Sequence, residues 1–183
     1  MPLFITTSRR PTRRVRSFCK ELSKVFPRAA YVNRGKMNLE EVLLEASARK
    51  AGYALIVNVR KGNPGRIDLY DVSLKKLKTS FVCLGVKLAR EMGVTPSPLR
   101  NAAVMVEGEG ELEVLGRVLA EALDLPILKL EEQSYPNVYH SAVLLSPRRG
   151  YLGALNFLDL ASRKPVGPLI RVKCLLPVED LDA

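Results

Sequence analysis

Along the first half of the chain the spacing of apolar positions changes repeatedly, and each change marks an element. Residues 3–7 (Leu3, Phe4, Ile5, Thr6, Thr7) are a short apolar and β-branched run, expected as a strand. Within residues 11–26, Val15, Phe18, Cys19, Leu22, Val25 and Phe26 fall at i, i+3, i+4, i+7, i+10 and i+11. That is one stripe of an amphipathic helix, with Pro11 in its first turn and Ser8 or Thr12 as cap. Residues 29–32 read as a second strand. Asn38 caps a helix over 39–51, with Glu40 and Glu41 well placed in its first turn. A continuous apolar strand at 53–59 follows, then a turn at Gly62-Asn63-Pro64-Gly65, a strand at 66–72 and another at 79–88.

The second half repeats this order, with strands at 102–106, 127–130, 142–145, 152–160 and 169–176, a helix at 111–123 and a turn at Arg148-Arg149-Gly150. Ala54-Leu55-Ile56-Val57 aligns with Ala142-Val143-Leu144-Leu145 at an offset of 88, and Leu69-Tyr70-Asp71-Val72 with Phe157-Leu158-Asp159-Leu160 at the same offset. Cys83-Leu84 and Cys174-Leu175 pair at an offset of 91. The pattern therefore reads as one duplicated unit. Its second copy lacks the middle helix and has the irregular Gln133-Ser134-Tyr135-Pro136-Asn137 stretch in its place. Thr95-Pro96-Ser97-Pro98 is the natural linker, so the halves are 1–94 and 101–183, joined by 95–100. Alternating strands and helices predict an α/β fold with helices packed on mixed sheets. Strands joined directly by a turn, such as 53–59 and 66–72, must be antiparallel.

The chain has 183 residues, 47% of them hydrophobic, enough for one compact domain or two small fused subdomains. No apolar run approaches the roughly 18 residues of a membrane span, and the N-terminus has no signal-peptide layout, so a cytoplasmic protein without membrane contact is expected. Cys19, Cys83 and Cys174 are widely spaced and lie in apolar patterns, which suits small core residues rather than a disulfide or zinc site. No phosphate-loop, nucleophile-elbow or zinc-protease motif occurs, and the single histidine, His140, reads as structural. No cofactor, metal or small-molecule substrate is expected, and no catalysis.

Charge is more telling. The net charge is +10, and it is unevenly spread. Residues 1–100 hold 21 Lys and Arg against 7 Asp and Glu, whereas residues 101–183 hold 8 against 12. On the first helix Arg13, Arg16, Lys20 and Lys24 lie about 100–180° from Val15, opposite the apolar stripe. The preceding loop adds Ser8, Arg9 and Arg10, beside a helix N-terminus that itself favours phosphate, and Arg14 completes the basic run. Arg34 and Lys36 flank a glycine turn, while Arg60, Lys61 and Arg66 surround a hairpin tip. The helix at 111–123 instead exposes Glu111, Glu113, Arg117 and Glu121, an ordinary solvated face. A single-sign face of this kind points to a nucleic-acid backbone.

Ile5-Thr6-Thr7-Ser8-Arg9-x-Pro11, Lys20-Glu21-Leu22, Phe26-Pro27 and Asn33-Arg34-Gly35 occur in order over about 35 residues. This series resembles the signature of Brix-domain proteins, factors of ribosome biogenesis. The whole chain is compatible with a single Brix domain, 1–183, and looks like the minimal archaeal form. It most resembles the branch acting with the small nucleolar ribonucleoprotein in small-subunit RNA processing. The resemblance implies a duplicated fold whose halves are similar to the anticodon-binding domain of class II aminoacyl-tRNA synthetases. It implies binding of a ribosomal RNA precursor, in pre-rRNA processing and subunit assembly, without chemistry. The acidic second half is expected to support the fold or to meet ribosome-assembly proteins. Two other readings remain beside it: a tRNA-binding module of the anticodon-domain kind, and a nucleic-acid-processing enzyme, for which Asp68 and Asp71 are the few carboxylates available in the basic half.

Overall fold

Strand β1 (Leu3–Thr7) is flanked by parallel neighbours on both sides, β2 (Ala29–Tyr31) and β3 (Tyr53–Arg60). Parallel strands need crossovers. Helix α1 (Arg13–Val25) supplies the connection from β1 to β2, and α2 (Leu39–Ala48) the connection from β2 to β3. Beyond β3 the chain turns back twice, through β4 (Asn63–Asp71) and β5 (Lys76–Lys87), both antiparallel. A single 3-10 turn at Ala89–Met92 leads to β6 (Ala102–Glu107), α3 (Glu111–Leu123) and β7 (Ile127–Leu130). Strands β8 (Ser141–Arg148), β9 (Tyr151–Asp159), β10 (Lys164–Pro165) and β11 (Leu169–Leu176) follow. Here β6 is parallel to β7 and β8, and the remaining pairs are antiparallel. The computed structural model describes residues 2–130 and 138–178. Among these, all strands join one mixed sheet in the order β2-β1-β3-β4-β5-β11-β9-β8-β6-β7, with β10 on β9. The α/β class and mixed strand pairing are as expected, but the two sheets expected from the sequence are one, because β5 and β11 pair and continue the ladder across the middle of the chain.

The seam between the halves is β5 against β11, with Gly85 opposite Arg171 and Phe81 opposite Leu175. Strand alternation separates the two faces. Leu3 and Ile5 join Leu55, Val57, Phe81, Val104, Val106 and Phe157 in the main core, beneath α1 and α3. Phe4, Ala54 and Ile56 face the other way and pack under Val42, Leu43 and Ala46 of α2. The main core does not stop at the seam. Phe26, just past the end of α1, meets Phe157 of β9 edge-to-face, with centroids 5.3 Å apart and rings at 81°. Tyr53 of β3 hydrogen-bonds Glu121 of α3, and Lys78 of β5 reaches the same carboxylate at 3.1 Å.

Several boundaries differ from the sequence reading, each for a local reason. Helix α1 starts after Thr12, whose hydroxyl accepts from Val15 N–H, so Pro11 precedes the cap instead of occupying the first turn. Helix α2 ends at Ala48, short of residue 51, because Lys50 adopts φ 57°, and Lys50 and Ala51 return their N–H groups to Ser47 and Ala46. That is a Schellman stop. The hairpin turn is Lys61-Gly62, both at positive φ, rather than residues 62–65. Pro64 and Gly65 lie inside β4, where the pairing register slips between Asn58 and Val59. The 3-10 turn and β10 lack a period long enough to be read. The stretch expected to replace a middle helix, residues 133–137, lies outside the described residues. Cys19 and Cys83 are buried, as core residues should be, and Cys174 is half-buried.

Candidate functional site

The carboxyl ends of the three parallel strands β1, β2 and β3 face the same way, and the basic loops emerge there. In open α/β sheets this is the edge where ligands bind. The loops are tied to one another. Ser8 N–H donates to Val57 O at 2.9 Å, and the Thr12 hydroxyl donates to Gly62 O at 2.8 Å, fastening the cap of α1 to the hairpin tip. Arg34 donates to Met37 O at 3.0 Å and to Thr7 O at 3.3 Å. Burial, with the nearby charge of Arg9 second, lowers the Arg34 pKa from its ordinary value.

The candidate residues divide into two groups. Arg9, Arg10, Arg13, Arg16, Lys20, Lys24, Lys36, Arg60 and Lys61 are exposed. Among the described residues none of these nine makes an ion pair. The other group is engaged. The Arg14 guanidinium forks onto Glu91 and donates to Val86 O at 2.8 Å, while Arg66 pairs with buried Asp68 at 3.0 Å. Arg34 is half-buried and holds its loop, and Ser8 is half-buried at the rim. The basic run is thus a row of free cations interrupted by internal clasps.

The carboxylates considered for catalysis are occupied. Asp68 accepts from Asn58 at 2.6 Å and Ser80 at 2.6 Å as well as from Arg66. Asp71 accepts from Ser73 and from Leu74 N–H, bonds that hold its pKa below the usual carboxylate range. Among the described residues no group of three or more His, Cys, Asp or Glu is placed to hold a metal. His140 is exposed at a cavity of about 610 Å³ beside Arg100 and Asp159, and its backbone links Asn101 to Leu160. No described helix is long and apolar enough to cross a membrane.

Glu21 and Glu91 anchor α1 from beneath. Glu21, buried, accepts from Ala89 N–H at 2.8 Å, and Glu91 accepts from Arg14 and from Leu88 N–H. The Arg14 hydrogen bond holds the Glu91 pKa down, to about 2 from an ordinary 4.5. The folded state then binds its proton more weakly than the unfolded chain. The pair stabilises above about pH 4.5 and loses its effect as pH falls toward 2. Glu91→Gln is expected to cost no more than about 1 kcal/mol at pH 7, since both side chains are a third exposed. Urea unfolding across pH should show that cost fading by pH 2. A difference that stayed constant with pH would break the assignment.

Sequence reasoning missed two cations. Arg171 and Lys173 of β11 line a cleft of about 480 Å³ together with Arg60 and Lys61 of the hairpin tip. Both alternate with core residues Ile170 and Val172, so their outward direction was readable. Their place beside β5 was not, because that pairing joins distant parts of the chain.

No family model matches the sequence. Curated relatives do. A probable Brix domain-containing ribosomal biogenesis protein of Pyrococcus furiosus is 35% identical over 185 residues, spanning 93% of this chain and 83% of the relative. The chain belongs to the Brix domain-containing ribosomal biogenesis proteins. The family member of Sulfurisphaera tokodaii is 30% identical, covering 92% of this chain and 90% of its own. Among solved structures, a probable ribosomal biogenesis protein from Aeropyrum pernix superposes with a TM-score of 0.79 at 28% identity, over 97% of this chain and 98% of that one. An archaeal Imp4-like protein shares the fold at a TM-score of 0.65 and 24% identity, over 94% and 98%. The order of motifs between Ile5 and Gly35 thus marked the family correctly.

Proposed function

We propose that this Brix-domain protein is a ribosome-assembly factor that holds precursor ribosomal RNA by its phosphates, assisting processing and subunit assembly without chemistry of its own. The observation that carries this is the row of exposed, unpaired cations on α1 and the adjoining loops. Like charges held together with no internal partner are at their most stable against a polyanion. Contacts of this sort position RNA rather than read its sequence.

The reading includes an origin by duplication, each half resembling an anticodon-binding domain. In its favour, the pairing order β2-β1-β3-β4-β5 recurs as β7-β6-β8-β9-β11, and the 88-residue offset carries Leu55 onto Val143, each the fully paired partner of a central parallel strand. On this view residues 1–94 carry most RNA contacts. The second half, whose corresponding rim has Glu107, Glu109 and Glu111, completes the fold or meets assembly proteins.

The test is a salt titration of binding to a transcribed small-subunit precursor RNA, with tRNA as competitor and magnesium present. Affinity is expected to fall about 1,000-fold between roughly 50 and 200 mM salt, the response of about six phosphate contacts. The RNA should stay intact. A flat salt response, RNA cleavage, or a tRNA preference in this competition and in crosslinking within cells would each overturn the reading.

A further inference from the structure

The cleft at the seam is built differently from the α1 face. Its cations come from both halves: Arg60 and Lys61 from the β3–β4 tip, Arg171 and Lys173 from β11. Among the described residues no acidic side chain lines it. Between the β3–β4 tip and β11 run β4 and the end of β5, so the banks stand two to three strand spacings, roughly 10–14 Å, apart. That width admits one extended polynucleotide strand and is too narrow for an A-form helix.

The floor is suited to more than a phosphate. Leu84, 50% exposed, is an apolar side chain lining the same cleft as the four cations. Gly85, directly opposite Arg171 in the ladder, has no side chain to fill the space above it. A Cβ there would lie 2.7 Å from Arg171 Nη2 and 3.4 Å from Cζ, so a side chain at residue 85 would push the guanidinium from its place across β5. On the opposite bank, Gly65 accommodates the Cβ of Arg60 in the same manner, which fixes where that side chain starts. The cavity, about 480 Å³, is within the range of small-ligand sites.

We infer that this cleft takes an unpaired nucleotide of an RNA strand, its phosphates between the Arg60–Lys61 and Arg171–Lys173 banks and its base or ribose on Leu84. The inference rests on the RNA-binding reading and extends it, because it adds a contact from the second half and a preference for single-stranded segments. Among the described residues no aromatic ring lines the cleft, so the contact tolerates any base.

The experiment measures binding of fluorescein-labelled hexauridylate, and of an RNA duplex as control, to the full chain. Gly85→Leu keeps every charge but occupies the place of the Arg171 guanidinium. It should weaken hexauridylate binding about 10-fold with an unchanged melting temperature. Arg171→Gln with Lys173→Gln, which leaves the glycine in place, should weaken it at least about 10-fold and flatten its salt dependence by about 1.4 logarithmic units per decade, the effect of two lost single-strand contacts. Duplex binding should change less than 2-fold in Gly85→Leu. Parental hexauridylate affinity in both variants overturns the cleft. An equal loss for the duplex overturns the single-strand assignment. A parent that binds precursor RNA but not hexauridylate overturns the cleft and leaves the α1 reading standing; a parent that binds neither removes both.

Discussion

Changing Arg13, Arg16 and Lys20 together to glutamate is expected to lower affinity for precursor ribosomal RNA at least about 100-fold. Each lost phosphate contact takes about 0.9 from the salt slope, so the slope should flatten by about 2.7. The reversed charges then add repulsion across the same face. Stability should hardly move. The three side chains are exposed and make no ion pair among the described residues, and such surface changes stay within about 0.5 kcal/mol each. Acidic groups in the first turn even suit the helix dipole. Filter binding and thermal melting on the same preparations check both halves of the expectation. A variant that melts like the parent and binds RNA equally well would move the contact surface off α1. The internal control is α3. Its outward Glu113 and Arg117 already pair with each other at 2.6 Å, so reversing Arg117 should leave RNA affinity within about 2-fold.

Phe157→Ala is expected to produce the largest loss of stability. The ring is fully buried, stands edge-to-face on Phe26, and packs closely on Gly167, where an added Cβ would come 3.0 Å from Phe157 Cδ2 and 2.8 Å from Val25 Cγ2. Emptying such a site costs about 3–5 kcal/mol, because a neighbourhood fixed by strands and a helix end cannot collapse into the space. For a chain of this size that lowers the melting temperature by about 10 °C. Phe157 belongs to the second half and Phe26 to the first, so the variant should still unfold in one transition with an unchanged denaturant slope. A loss below about 1 kcal/mol, or a melt that splits into two steps, would contradict a core shared across the seam.

What could be read from the sequence was what is encoded locally. The stripe from Val15 to Phe26 fixed both the helix and the direction of its cations, since burying one face determines the other. The bounds of α3, β7 and β11 agree with the expected ones because their periods are uninterrupted. Turn chemistry was harder. Gly62, Asn63, Pro64 and Gly65 are all turn formers, yet only Gly62 sits in the turn, and Lys61 takes the left-handed position beside it. Roles set by distant partners were out of reach. Arg14 looks like one more cation of the basic run until Glu91, 77 residues away, closes on it. Arg66 is likewise claimed by Asp68. Arg171 and Lys173 are two charges in a half with a net acidic balance, and only the long-range ladder places them beside Arg60.

The β5–β11 seam also sets an order of events during synthesis. Roughly 80 residues separate the two strands, and at about 5–20 residues per second β5 waits several seconds for its partner. Through that interval it is an open sheet edge, the kind of surface on which nascent chains aggregate. Its solvent-facing positions carry Lys76, Lys78 and Lys87, and charges of this sort discourage edge-to-edge pairing. Two of these lysines make no ion pair among the described residues, so their use is best sought in the half-made protein.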